Sequence, residues 1–319
     1  MIKKIRFLLV ALIISSATII QAQVTTSSMS GRVTDAEGAV IGATVIATHE
    51  SSGTTYGTVT NLEGRFNLNG MRVGGPYTVE VTYIGYGAYT ANNITLSLGE
   101  NYSLNVVLSE ETTTLGEVVV TALRTKFSNQ KTGAVTNITN AQIDNLPTVS
   151  RNIMDVTRLS PYGGNGMSFG GADGRSSNFT VDGANFNNNF GLSDGLPGGG
   201  NPISLEAIEE MQVVIAPYDV RQTNFIGGGV NAITKSGTNT FKASAYIYHR
   251  NENLRGDAVR GEQIEGARER DRNTSYGFTF GGPIIKNKLF FFVNGELAKT
   301  PTIANRWKAS TDGIADPDN

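Results

Sequence analysis

The sequence has 319 residues with 26 Lys plus Arg, 28 Asp plus Glu, 2 His and no Cys, which excludes disulfides, cysteine-ligated zinc, iron–sulfur clusters and thiol nucleophiles. Only 17% of residues are charged and Gly reaches 38, a turn-rich mixture that favours short strands over long helices. A formal net charge of −2 supplies no basic field to hold a nucleic-acid backbone, so nucleic acid is not an expected partner.

Lys3, Lys4 and Arg6 precede an apolar run over residues 7–14, which continues through small residues to Ile20 and then Gln21, Ala22 and Gln23. A basic head, an apolar stretch and a small residue before the cut make residues 1–22 a cleaved signal peptide, with the cut after Ala22. Its removal leaves 23 positive against 28 negative side chains. Ser15, Ser16 and Thr18 interrupt the run, and no later stretch approaches the ~20 apolar residues of a spanning helix, so a membrane crossing would use strands.

Residues 23–109 read as a small antiparallel β-sandwich, with strands over residues 30–34, 44–48, 54–60, 65–68, 77–83 and 103–108. Asp35 to Gly38 and Asn61 to Gly64 have turn chemistry: a polar side chain that bonds its own backbone, followed by a glycine free to take positive φ. Gly31-Arg32-Val33-Thr34-Asp35, Gly42-Ala43-Thr44-Val45, Thr60-Asn61-Leu62-Glu63-Gly64-Arg65-Phe66 and residues 77–86 together resemble the carboxypeptidase-regulatory-like domain. The resemblance is to the accessory sandwich of such enzymes. His49 has no Glu and His at metal-ligand spacing, and at a strand end it is expected to be an ordinary surface residue.

Residues 110–124 form a linker with a β-branched end. Glu110, Glu111 and three threonines lead into Leu115, Gly116, Glu117, Val118, Val119, Val120, Thr121 and Ala122. Such a run either closes its own sandwich as a last strand or is offered to the edge of a partner's sheet. It resembles the TonB box of TonB-dependent receptors, with Gly116 in place of the acidic residue commonest there.

Residues 125–240 have mixed periodicity. Thr139 to Gln142 has the form of a capping box opening a short helix that Pro147 ends, and Ser150 is placed to cap a second helix over residues 151–159. A third helix is expected over residues 205–210 with Ser204 as cap, followed by a strand over 211–215. Glycine-rich loops surround Arg175, Asp182 and Gly183, and Gly227, Gly228 and Gly229 are expected to make a tight turn into a further strand. The glycine runs lack a following Gly-Lys-Ser/Thr, so they do not read as phosphate loops. Asp173, Asp182 and Asp194 are too far apart for a calcium loop. This succession resembles the plug domain of TonB-dependent receptors. Residues 208–221, with 227–237, resemble the Oar-like subgroup.

Residues 241–319 read as the start of an outer-membrane β-barrel. Phe241, Ala243, Ala245 and Ile247 alternate with Lys242, Ser244, Tyr246 and Tyr248 over about ten residues, the length of a tilted membrane strand. A segment over 251–272 with 11 charged residues leads to a strand carrying Tyr276, Phe278 and Phe280 on one face. A short turn joins it to a third strand, where Leu289, Phe291, Val293 and Leu297 would face lipid while Asn294 and Glu296 face the lumen. A long loop followed by a short turn is the outer-membrane pattern, and residues 281–292 resemble the first barrel turn of Oar-like receptors.

The expected fold class is mainly β: an N-terminal sandwich, a mixed α/β plug domain and the first three strands of an incomplete barrel. The resemblance implies transport of an extracellular ligand across the outer membrane, with TonB, driven by ExbB and ExbD, pairing with residues 115–122. Outer-membrane lipid is the other expected partner. An adhesin or a protein-export channel could use the same architecture. No cofactor, metal set or catalytic residue can be nominated, so enzymatic activity is not expected. Three strands fall short of the smallest eight-stranded closure; the length reads as a truncation, and the isolated chain is expected not to form a pore.

Overall fold

The computed structural model describes residues 24–110, the backbone of 118–121, and residues 134–148, 151–187, 196, 201–217, 219–254, 256, 258–263 and 272–299. The expected signal peptide (residues 1–22), residues 115–117 and 122 of the expected box, Ser150, Asp194, residues 198–200 and residues 300–319 lie outside the described residues. The chain divides into two compact units, one of residues 1–241 with 281–292 and one of residues 242–280 with 293–319. Among the described residues, no helix is long and apolar enough to cross a membrane.

The first part of the larger unit is a two-sheet sandwich. Its strands are β1 (Ser27–Thr34), β2 (Thr44–His49), β3 (Thr54–Val59), β4 (Arg65–Met71), β5 (Gly74–Thr82), β6 (Tyr89–Leu96), β7 (Asn101–Ser103), β8 (Val106–Val107) and β9 (Val118–Thr121). One sheet has the order β4-β1-β7, with β8 also on β1; the other runs β3-β2-β5-β6-β9. Alternation decides the faces: Phe66, Leu68 and Met71 of β4 are buried between exposed neighbours, and Tyr77, Val79 and Val81 of β5 repeat the period. These side chains pack with Met29, Val33, Val45, Ala47, Ala91, Ile94 and Leu96 in one core, where each fully buried Val, Leu, Ile, Phe or Met side chain contributes roughly 1.5–3 kcal/mol.

The expected turns form as the side chains dictate. Asp35 Oδ1 accepts the amides of Glu37 and Gly38, both at 2.8 Å. Asn61 Oδ1 accepts those of Glu63 and Arg65 at 3.0 and 2.8 Å, and Gly64 takes φ +71°.

Three expectations for this region need correction. The sandwich is not wholly antiparallel: β7 and β8 run parallel to β1, and β9 runs parallel to β6. Strand β6 was hidden because its Asn92-Asn93 pair looks like a turn; Asn93 sits at φ +60° and marks an irregularity within a continuing strand. His49 is not a surface residue but is 3% exposed, its Nδ1 paired with Ser52 Oγ at 2.7 Å and its ring 4.9 Å from that of Tyr77.

A second sheet follows in the same unit, built from β10 (Val135–Thr139), β11 (Asn178–Val181), β12 (Ala184–Asn185), β13 (Ile208–Val214) and β14 (Gly229–Thr234) in the order β10-β13-β14-β11-β12. Two short helices, α1 (Asn140–Asn145) and α2 (Ile153–Thr157), accompany it. The capping box is present, with Gln142 Oε1 accepting the Thr139 amide at 2.9 Å. Helix α2 is capped by Asn152, whose side chain accepts the Met154 amide at 2.9 Å, and is shorter than expected. The third expected helix is only a 3-10 turn, Leu205–Ala207, and residues 208–210 already belong to β13. Pairing decides this: β13 is bonded on both sides, to β10 and to β14, which outweighs the local helix-start signal. Ile138, Ile153, Phe169, Phe179, Ile208, Met211 and Val230 are central to its core.

A further sheet has the order β15-β18-β19, from Lys242–Arg250, Asn273–Ile285 and Leu289–Lys299, and β16 (Ala258–Val259) pairs with β17 (Glu262–Gln263) between them. In the smaller unit, Tyr276, Phe278, Phe280, Ile247, Val293 and Leu297 are exposed. Polar side chains meet one another: Ser244 Oγ lies 2.6 Å from Thr279 Oγ1, and Tyr246 donates to Glu296 at 2.8 Å. Apolar side chains without a core to cover them, set against joined polar ones, are what a lipid-facing sheet requires. No closed barrel is present among the described residues.

Candidate functional site

The β-branched run ends the sandwich sheet. Val118, Val119, Val120 and Thr121 stand opposite Tyr89, Thr90, Ala91 and Asn92 in parallel register, and β9 is the terminal strand of its sheet. A terminal strand is bonded along one side only and leaves the alternate N–H and C=O groups of the other side open for pairing. The two uses left open by the sequence are therefore compatible: residues 118–121 close their own sandwich and, among the described residues, keep one edge unpaired.

Next in the chain stands β10, which is the other kind of edge. Among the described residues its strand partner is β13 alone, from Val135 opposite Val214 to Thr139 opposite Glu210. Its Asn137 joins a polar cluster that sequence reasoning did not find. Glu210, 4% exposed, accepts the Leu98 amide at 3.1 Å and Asn137 Nδ2 at 2.7 Å. The Leu98 carbonyl accepts Asn137 Nδ2 at 3.1 Å and also Gln212 Nε2. Leu98 also belongs to a small buried apolar cluster with Val24, Val73 and Ile233. The available signal was a Glu and a Gln alternating inside an otherwise apolar strand, at 210 and 212.

A second cluster lies where the sandwich meets the segment leading out of β14. Arg72 donates to the carbonyls of Ser236 and Gly237, both at 3.3 Å, and the Asn239 amide donates to the Ser51 carbonyl at 2.9 Å. Asn239 and Asn287 exchange bonds, Nδ2 to Oδ1 at 2.7 Å and Oδ1 from the backbone amide at 2.9 Å.

The expected plug-motif residues are not brought to one point. Arg175 forms a forked pair with Asp173, its shortest contact 2.7 Å, and this bonding holds the Asp173 carboxyl down to about 2. Asp182, at φ +49° with Gly183 at +83°, accepts the Thr234 amide at 2.9 Å and the Thr234 hydroxyl at 2.7 Å, tying the β11–β12 turn to the end of β14. Gly227, Gly228 and Gly229 do not make a positive-φ turn; they permit close approach. A Cβ on Gly228 would lie 2.7 Å from the Phe169 ring, and one on Gly229 the same distance from Phe225. Among the described residues, no group of three His, Cys, Asp or Glu is placed to hold a metal ion.

Residues 28–109 match the carboxypeptidase regulatory-like domain, and residues 233–309 match the outer membrane beta barrel domain. The chain is 26% identical over 285 residues to the TonB-dependent transporter Oar of Myxococcus xanthus, across 83% of this chain and 26% of that protein. It thus spans about a quarter of the length of the curated relative it matches. Among solved structures, the siderophore receptors PirA of Acinetobacter baumannii and of Pseudomonas aeruginosa superpose on part of the chain. The first has 23% identity, coverage of 52% of this chain and 24% of that one, and a TM-score of 0.39. The second has 20%, 53%, 28% and 0.41. With a regulatory-like sandwich at one end, a barrel segment at the other and a relative aligned along most of the chain, this protein is a homologue of the TonB-dependent transporter Oar, located at the outer membrane.

Proposed function

We propose that this chain carries the sandwich, the plug and the first barrel strands of a receptor that imports a ligand across the outer membrane, with residues 115–122 as the strand engaged by TonB. The observation that carries this reading is the position of β9: an edge strand of the sandwich that, in chain order among the described residues, comes just before the first strand of the mixed sheet. An outer membrane has no nucleotide supply, so the work must be delivered from the inner membrane, here by TonB driven through ExbB and ExbD. Strand addition supplies main-chain affinity, and alternate side chains fix register.

The mixed sheet takes the role of plug, and its topology suits a pull. Force applied at residues 118–121 passes along the chain to β10, an edge strand bonded to one neighbour. Peeling an edge breaks bonds one after another, whereas extracting a central strand breaks both sides together. Removing β10 also withdraws Asn137 from Glu210 and Leu98. The export route is a cleaved signal peptide over residues 1–22, and the reading includes no enzymatic step.

The test is Val119→Pro in the full protein, with binding to the purified periplasmic domain of TonB as the readout. Proline removes an amide from the ladder. Binding is expected to weaken at least tenfold while the protein still reaches the outer membrane; unchanged binding would exclude residues 115–122 as the coupling strand.

A further inference from the structure

Strand β9 is held by β6 in parallel over four opposed pairs, from Tyr89 with Val118 to Asn92 with Thr121. Strand β6 is itself anchored: it is bonded to β5 on its other side, and its Ala91, Ile94 and Leu96 lie in the sandwich core. The coupling strand is therefore ordered by a fixed neighbour, and among the described residues no strand pairs with the side that faces away from β6, the edge of a five-stranded sheet.

We propose that the sandwich is a presenting platform: TonB adds its sheet to the open side of β9 while β9 stays paired with β6, giving one sheet that continues from the sandwich through residues 118–121 into the partner. This rests on the coupling reading above and goes beyond it by assigning the sandwich a role in partner binding. Two observations favour presentation over release. The docked strand sits at the end of the sheet, so the groups that a second sheet needs are open without any bond to β6 being broken. An unanchored tether must lose backbone freedom when it pairs, whereas a strand already extended against β6 has lost it beforehand. The partner this surface fits is one with an unpaired sheet edge, since affinity comes from main-chain bonds.

The absence of cysteine from the chain allows a direct test. Ala91→Cys with Val120→Cys places two thiols on opposed positions of neighbouring strands, which lie about 4.8 Å apart, within the range a disulfide spans. Tyr89→Cys with Val118→Cys is a second such pair, in case the first disturbs the core. Each full-length variant is oxidised, and its affinity for the purified periplasmic domain of TonB is compared with that of the reduced form and the wild type. Presentation predicts that the cross-linked protein binds within about threefold of wild type. A loss of more than tenfold that reductant restores would show that β9 must leave β6, and would overturn the proposal. Failure of both pairs to cross-link would overturn it as well, by denying the docked register. Absence of binding by the wild type would remove the coupling reading, and the proposal with it.

Discussion

The Leu98 amide, on the loop after β6, donates to Glu210 Oε1 on β13 at 3.1 Å, so the main chain of the sandwich holds a buried carboxylate of the mixed sheet. Asn137 completes the arrangement from β10. The sandwich, the carboxylate and β10 are thereby linked in one hydrogen-bonded cluster, which any pull that reaches β10 would have to break.

Replacing Glu210 with Ala leaves the buried Leu98 amide without its acceptor and removes one of the two acceptors of Asn137 Nδ2. Unsatisfied buried donors cost about 1–3 kcal/mol each. Glu210→Ala is therefore expected to lower stability by about 1–3 kcal/mol and to open the junction first, read as faster amide exchange at residues 97–99 and 135–139. Unchanged exchange there would remove the cluster from the account.

His49 gives the sandwich a pH dependence. Burial, with the Arg72 charge acting in the same direction, pushes its pKa down to about 4 from an ordinary 6.5. Below pH 6.5 the unfolded chain binds a proton that the folded one refuses, so stability falls as pH drops from about 6.5 to about 4 and then levels. The full shift amounts to up to about 3 kcal/mol. Urea midpoints at pH 7 and pH 4.5 should therefore differ more for wild type than for His49→Gln. Equal differences would place the titration elsewhere.

Asp182 combines a left-handed backbone with two bonds to Thr234. Asp182→Ala should cost about 2 kcal/mol, from strain at positive φ together with the lost acceptors. Asp182→Asn, which tolerates that conformation and keeps one acceptor, should cost less than half as much. Thermal unfolding of the pair of variants distinguishes this account from a role for the negative charge itself, which would make them equal.

Gly228 lies against the Phe169 ring, where an added Cβ would stand at 2.7 Å. Gly228→Ala is expected to cost about 1–3 kcal/mol by overpacking, and the double variant with Phe169→Leu should recover part of it. No recovery would show that the glycine is needed for some other reason.

Much of this was legible in the residues because local chemistry decided it. Asp35 and Asn61 bond their own turns, Thr139 and Gln142 form their box, and Tyr276, Phe278 and Phe280 keep a strict period of two. What escaped depends on neighbours distant in sequence. Residues 208–210 follow a good helix cap, but pairing on both sides makes them strand. Asn92 and Asn93 imitate a turn inside β6. Nothing local to Val118 to Thr121 names Tyr89 to Asn92 as their partners, and nothing local to Glu210 points to the Leu98 amide. His49 at a strand end carries no mark of burial, because the Tyr77 ring beside it arrives from β5.

The central claim, that residues 118–121 are where TonB engages, is tested most directly by cysteine scanning in living cells. Single cysteines are placed at positions 115–122 of this cysteine-free chain and, as a control, at the fully exposed Ile84, each opposite a cysteine on the strand-accepting edge of TonB. The account predicts disulfides to TonB concentrated at 118–121 and absent at 84. Uniform cross-linking at all positions, or none within 118–121, would contradict it.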